Sequence, residues 1–301
     1  MTQSNPASQL DAEFGSFPGL IAAWGAFRGD APALRDEAAQ LSWREVAERV
    51  ERIAARLQAD GLERGQAVAI LGTSCIAYAL VYLAAIRAGG CAAPLTTSAS
   101  PDQLAGMATD SGAMHLFVDR AKLTELGAFH LPIERQIVLD EELDSFMAPP
   151  GTLAAPFEPD DRDPFNIIYS SGTTGIPKGI VHSHGMRWRQ MTFRAALNYG
   201  TDSRTLTSTP LYSNTTMAVF LPTLYSGGLV SIMGKFDVEK WLTRAQAEAI
   251  THTMLVPVQY RRLMQFEGFD RYDLSAMKMK YCTSAPFPAE LKAEVLKRMP
   301  G

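Results

Sequence analysis

A chain of 301 residues is long enough for one large domain or two of medium size. Its residues are 47% apolar and 20% charged, the balance of a globular protein. A net charge of −4 excludes a broad basic footprint for nucleic acid. Cys75, Cys91 and Cys282 stand far apart with no Cys-x-x-Cys, and read as reduced thiols packed in a core. The polar stretch Met1 to Asp11 lacks the basic-then-apolar layout of a signal peptide. The most apolar run, Cys75 to Ala88, is too short to span a bilayer and contains Arg87. The expected location is the cytoplasm.

Residues 1–18 read as a flexible arm. Ser42 then caps a helix, with Glu45 three residues on completing a capping box. Trp43, Val46, Val50, Ile53 and Leu57 share one face of it, and Gly61 ends it. Strands are expected at 67–71, 91–95, 114–118 and 136–139, with helices over 76–88 and from Pro101 onward. Strands alternating with helices predict a parallel sheet covered on both faces, so 19–147 forms a first α/β subdomain. Five prolines and the acidic set Asp160, Asp161 and Asp163 mark 148–164 as a solvated linker in preference to a metal site.

The alternation resumes over 165–301, predicting a second, similar α/β subdomain. Its first strand, Phe165 to Tyr169, runs into Ser170-Ser171-Gly172-Thr173-Thr174-Gly175-Ile176-Pro177-Lys178-Gly179. Glycines let backbone N–H groups turn toward an anion, hydroxyls add donors and the lysine adds charge. That composition between two strands suits a polyphosphate. It is not a Walker A loop, because no G-x-x-x-x-G-K-[ST] is present. A strand at 180–182 follows, then helices over 185–198, 214–225, 237–249, 259–266 and 288–299. Short strands at 205–208, 229–233, 252–256 and 278–282 separate them.

The whole string from Ser170 to Gly179 resembles the phosphate-binding motif of the adenylate-forming superfamily. That superfamily includes acyl-CoA synthetases, peptide-synthetase adenylation domains and luciferases. Leu41 to Val46 and Ile86 to Leu95 resemble its first two core motifs, and Val256-Pro257 with Tyr260 resembles its acyl-pocket segment. Thr283-Ser284-Ala285-Pro286 stands where the family usually reads Gly-Gly-Ala-Pro, and Ser213 stands where many relatives have histidine. The family's Tyr-Gly-x-Thr-Glu motif and mobile C-terminal domain are expected beyond Gly301, so the chain reads as the N-terminal part of such an enzyme.

The resemblance implies an acid–CoA ligase that makes an acyl-adenylate from a fatty or aromatic acid and ATP, then a CoA thioester. The alternatives are an adenylation domain loading a carrier protein, and a nucleotide-binding fragment without turnover. It implies ATP, Mg²⁺ and CoA, with Lys178, Thr173 and Thr174 as catalytic groups. Ser170, Ser171, Gly172, Thr173, Thr174, Gly175, Lys178, Gly179, Ser284, Ala285 and Pro286 would bind nucleotide. Trp188, Tyr212, Ser213, Asn214, Met217, Val256 and Tyr260 would line the acid pocket. A lipid-like acid would draw the chain transiently to membranes, and a homodimer is left open. No resident metal ligands are expected. His182 and His184 form H-x-H, read as structural or adenylate-site groups in preference to a metal pair. Arg187, Trp188 and Arg189 read as packing or a pocket wall in preference to a nucleic-acid patch.

Overall fold

The computed structural model describes residues 5–170 and 177–301. Helix α1 (Phe17–Phe27) leads to a hairpin of β1 (Pro32–Arg35) and β2 (Gln40–Ser42). In α2 (Trp43–Ala59) the expected capping box is in place. Ser42 N–H donates to the Glu45 carboxylate at 2.7 Å, and Glu45 N–H donates to Ser42 Oγ at 3.3 Å. All five residues of its predicted apolar stripe are buried.

Alternation follows: β3 (Ala67–Leu71), α3 (Ile76–Arg87), β4 (Cys91–Pro94), α4 (Pro101–Ser111), β5 (His115–Val118), α5 (Arg120–Leu126) and β6 (Arg135–Val138). The short α6 (Leu143–Phe146) precedes the linker, after which come β7 (Pro164–Ser170) and β8 (Lys178–Ser183). Then α7 (His184–Ala195), β9 (Arg204–Thr207), α8 (Asn214–Tyr225), β10 (Leu229–Ile232) and α9 (Val238–Ala247) continue the chain. It ends with β11 (His252–Leu255), α10 (Pro257–Met264), β12 (Met279–Cys282) and α11 (Ala289–Arg298).

The strands form two six-stranded sheets, ordered β6-β5-β3-β4-β7-β8 and β12-β11-β9-β10-β1-β2. Replacing β3–β6 by β9–β12 turns the first four places of one into those of the other. In each sheet five strands run parallel and the sixth pairs antiparallel at one edge. The fold is therefore the expected pair of similar, largely parallel α/β units flanked by helices. Strands such as β3 and β4 are buried at every residue, as a sheet covered on both faces requires.

The linker does not separate the sheets. β7 and β8, which follow it, complete the first sheet, while β1 and β2, from the chain's start, complete the second. Each hairpin covers an edge whose backbone donors and acceptors would otherwise be unpaired. The ranges 19–147 and 165–301 are stretches of sequence and not sheet boundaries, because local periodicity does not say which sheet a strand joins.

Two connecting segments are better anchored than their composition suggests. The Arg87 guanidinium donates to Ala154 O and Ala155 O, and Arg64 pairs with Asp163, so the linker is laced to α3 and the turn after α2. Residues 5–16 are docked: Trp188 Nε1–H donates to Ala12 O at 2.9 Å and Tyr225 O–H to Leu10 O at 2.8 Å. The described part of the expected loose arm is held because two buried aromatic donors need acceptors. No helix among the described residues is long and apolar enough to cross a membrane.

Candidate active site

The predicted phosphate loop connects β7 to β8. Their antiparallel register sets Ser170 opposite Lys178 and Asn166 opposite His182. The hairpin therefore opens at Ser170 and Lys178, both exposed. Ser171, Gly172, Thr173, Thr174 and Gly175 lie outside the described residues. Gly179 is constrained by packing: a Cβ there would stand 2.9 Å from Asp110 Oδ2 and 3.0 Å from Ile167 Cγ2. The Tyr169 hydroxyl, which donates to Met107 O at 3.0 Å and Asp110 Oδ2 at 2.9 Å, anchors this strand to α4.

At the other end of the hairpin lies a polar cluster that sequence reasoning missed. Arg187, wholly buried on α7, donates through Nε to Asn166 Oδ1 at 2.8 Å. Its Nη1 donates to Gln190 Oε1 at 2.6 Å and to Asn214 Oδ1 at 2.9 Å, and its Nη2 to His182 Nδ1 at 3.2 Å. Burial lowers the guanidinium pKa, and no carboxylate among these partners offsets that. Burial, then the charge on Arg187, pushes His182 down to about 4, so its imidazole is neutral. A sequence signal was present: an arginine on the apolar side of α7, three residues before Gln190.

His184 opens α7 and takes a different environment from His182. Its ring packs edge-on against Phe165 at 5.0 Å, and burial pushes it down to about 4. Among the described residues no three His, Cys, Asp or Glu side chains gather to hold a metal. Asp161 pairs with Arg189 and Asp163 with Arg64. A magnesium ion entering on ATP needs few protein ligands, since it keeps phosphate and water oxygens.

Helix α8 begins at the predicted acid pocket. Ser213 is its N-cap, accepting from Thr215 N at 3.2 Å, and Asn214 is its first residue. Beside it, the Thr215 and Ser284 hydroxyls are 2.6 Å apart. Ser284, Ala285 and Pro286 are exposed after β12, and Ser284 keeps a left-handed φ of 73°. The structure thus brings Ser213, Asn214 and Ser284 together around one helix start. Tyr212 and Val256 are half-buried. Met217 is fully buried on α8, and Tyr260 donates to Tyr281 O at 2.9 Å while stacking on Phe287. Trp188 faces elsewhere, against Phe14 and Tyr225 under the N-terminal segment. A groove of 840 Å³ between α1, α2 and residues 153–158 contains none of these side chains.

Residues 21–301 match the family model described as AMP-binding enzyme. The chain is 31% identical over 277 residues to a feruloyl-CoA synthase of an Amycolatopsis species, covering 89% of this chain and 54% of that protein. It is 30% identical over 286 residues to an indoleacetate–CoA ligase of Aromatoleum aromaticum, covering 88% and 54%. The chain thus spans about half the length of these curated relatives. Its fold matches an O-succinylbenzoate coenzyme A synthetase of Bacillus subtilis, solved with AMP, at a TM-score of 0.81 and 19% identity, covering 93% of this chain and 70% of that one.

Proposed function

The chain belongs to the AMP-binding enzyme family, and from that premise we propose that it supplies the ATP- and acid-binding portion of an acid–CoA ligase. The carrying observation is the hairpin that sets Ser170 and Lys178 face to face at the mouth of loop 171–177. An aromatic acid is favoured over a fatty one, because the relatives similar to this chain are named for feruloyl and indoleacetate substrates.

In the proposed first step a carboxylate oxygen of the acid attacks the α-phosphorus of MgATP. The bond to the bridging oxygen breaks and pyrophosphate departs with the electron pair. Two anions must meet, so donors and positive charge placed before the reaction lower the barrier. Lys178 provides the charge, and Ser170 with the hydroxyls and amides of the loop provides donors. In the second step the CoA thiolate attacks the acyl carbon and AMP leaves. Ser284, Ala285 and Pro286 would border the adenylate beside the start of α8.

ATP–pyrophosphate exchange with a panel of aryl and fatty acids tests the reading, run on this chain and on any longer product of the same gene. Exchange dependent on an aryl acid, followed by thioester formation on adding CoA, is expected of the longer protein. Exchange with transfer only to a carrier protein would instead identify a loading domain. No exchange with any acid would end the proposal.

A further inference from the structure

Lys178 must face Ser170 for the two to meet one polyphosphate, and the exposed start of β8 does little to hold it there. Lys178, Gly179, Ile180 and Val181 are all exposed, so burial does not fix their register on β7. Among the described strands β8 is an edge, paired on the β7 side alone. At the far end of the hairpin Asn166 and His182 are both bound to Arg187, which pins that end. The mouth needs a pin of its own.

One lies directly behind the Ser170–Lys178 pair. Tyr169 stands opposite Gly179, and its hydroxyl points into α4, bonding to Met107 O. Side chains alternate along a strand, so Ser170 and Lys178 project from the other face. From the last turn of α4, the exposed Asp110 reaches over Gly179. Its Oδ2 accepts from the Tyr169 hydroxyl at 2.9 Å and would lie 2.9 Å from any Cβ at residue 179. Burial, then the carboxylate of Asp110, pushes the Tyr169 phenol up, so it remains a donor.

This bond passes over the one residue of β8 that has no side chain. A slip of β8 by one residue turns Lys178 to the α4 face. A slip by two brings Pro177 or Val181 opposite Tyr169, where either side chain collides with Asp110. For α4 itself the carboxylate is unfavourable: it opposes the helix dipole in a last turn that has no basic residue. We infer that Tyr169 and Asp110 are positioning residues that lock the register of β8 on β7 at the hairpin mouth and so hold Lys178 opposite Ser170. The step rests on the ATP-binding reading above. Without the lock Lys178 moves by about 3.4 Å for each residue of slip. The apparent affinity for ATP then falls with the fraction of hairpins still in register.

Calorimetric titration of the chain with MgATP, well below its melting temperature, is the test. Tyr169→Phe and Asp110→Ala should each weaken binding about fivefold, the bias that one hydrogen bond supplies. Combining them should weaken it no further, since both remove the same contact. Asp110→Asn keeps an acceptor for the phenol and removes the charge that opposes the dipole. It should bind MgATP at least as well as the wild type and melt no lower. A contact that serves stability alone would lower melting in the first two variants and leave their affinity unchanged, and that result overturns the lock. So does an additive loss in the double variant, or Asp110→Asn as weak as Asp110→Ala. All three outcomes leave the ATP-binding reading standing, whereas a wild type that binds no MgATP overturns both.

Discussion

Thr215 and Ser284 share a hydroxyl–hydroxyl hydrogen bond of 2.6 Å, which ties the first turn of α8 to the turn after β12. One residue earlier, Asn214 accepts from Arg187 at 2.9 Å and so reaches β7 and β8 of the other sheet. The start of α8 is thus held from both sides. Ser284 has a φ of 73°, a left-handed backbone that glycine adopts more readily. The hydroxyl pair offsets part of that strain.

Replacing Ser284 separates these two effects. Ser284→Ala keeps the left-handed strain and loses the hydrogen bond, so it should destabilise by about 1 kcal/mol. Ser284→Gly relieves about 1–2 kcal/mol of strain, offset by the lost bond and by glycine's extra unfolded-state entropy. It should therefore melt near the wild type and above Ser284→Ala. Identical melting of the two variants would refute a strained Ser284.

Lys178 is exposed on β8, so Lys178→Ala should leave the melting temperature unchanged. If its charge meets the phosphates, pyrophosphate exchange, measured on whichever form of the protein supports it, should fall on the order of 100-fold. Thioester formation from preformed acyl-adenylate should fall much less. Equal losses in both half-reactions would count against this assignment.

Gly179→Ala tests the packing of the same strand. The added methyl meets Asp110 Oδ2 at 2.9 Å and Ile167 Cγ2 at 3.0 Å. Displacing them should destabilise by roughly 1–3 kcal/mol, measured by denaturant unfolding. An unchanged midpoint would mean that the strand lies farther from α4 than described.

Acid should weaken the fold through its buried imidazoles. Burial pushes His182, His184 and His252 each down to about 4, below the usual value of 6.5. Between those limits the unfolded chain binds more protons, so the stability from these groups is complete above pH 6.5 and is lost as pH falls through 4. His252 stacks on Tyr199 at 4.1 Å, far from the candidate site in sequence. His252→Phe keeps an aromatic ring there and removes one titration. Its melting temperature should decline less between pH 6.5 and 4.5 than that of the wild type; a parallel decline would contradict the burial of His252.

Much of the fold was legible in local pattern. The Ser42–Glu45 capping box, the stripe from Trp43 to Leu57 and the helix over Asn214–Tyr225 all stand where periodicity and capping chemistry put them. Helix α1 was missed, and so was the hairpin β1–β2, whose strands of four and three residues are too short to carry a period. In the site, the pairing of Ser170 with Lys178 follows from a glycine-rich loop between two strands. The grip of Arg187 on Asn166, His182 and Asn214 does not.

By itself, then, the order of residues determined the alternating α/β elements and the family likeness, since each rests on neighbours in the chain. Only tertiary structure decided that β7 and β8 join the first sheet and that Trp188 lies under the N-terminal segment. It also decided which side chains meet Arg187. Those outcomes depend on which distant group satisfies a buried edge, an indole N–H or a guanidinium, and that choice is made in space.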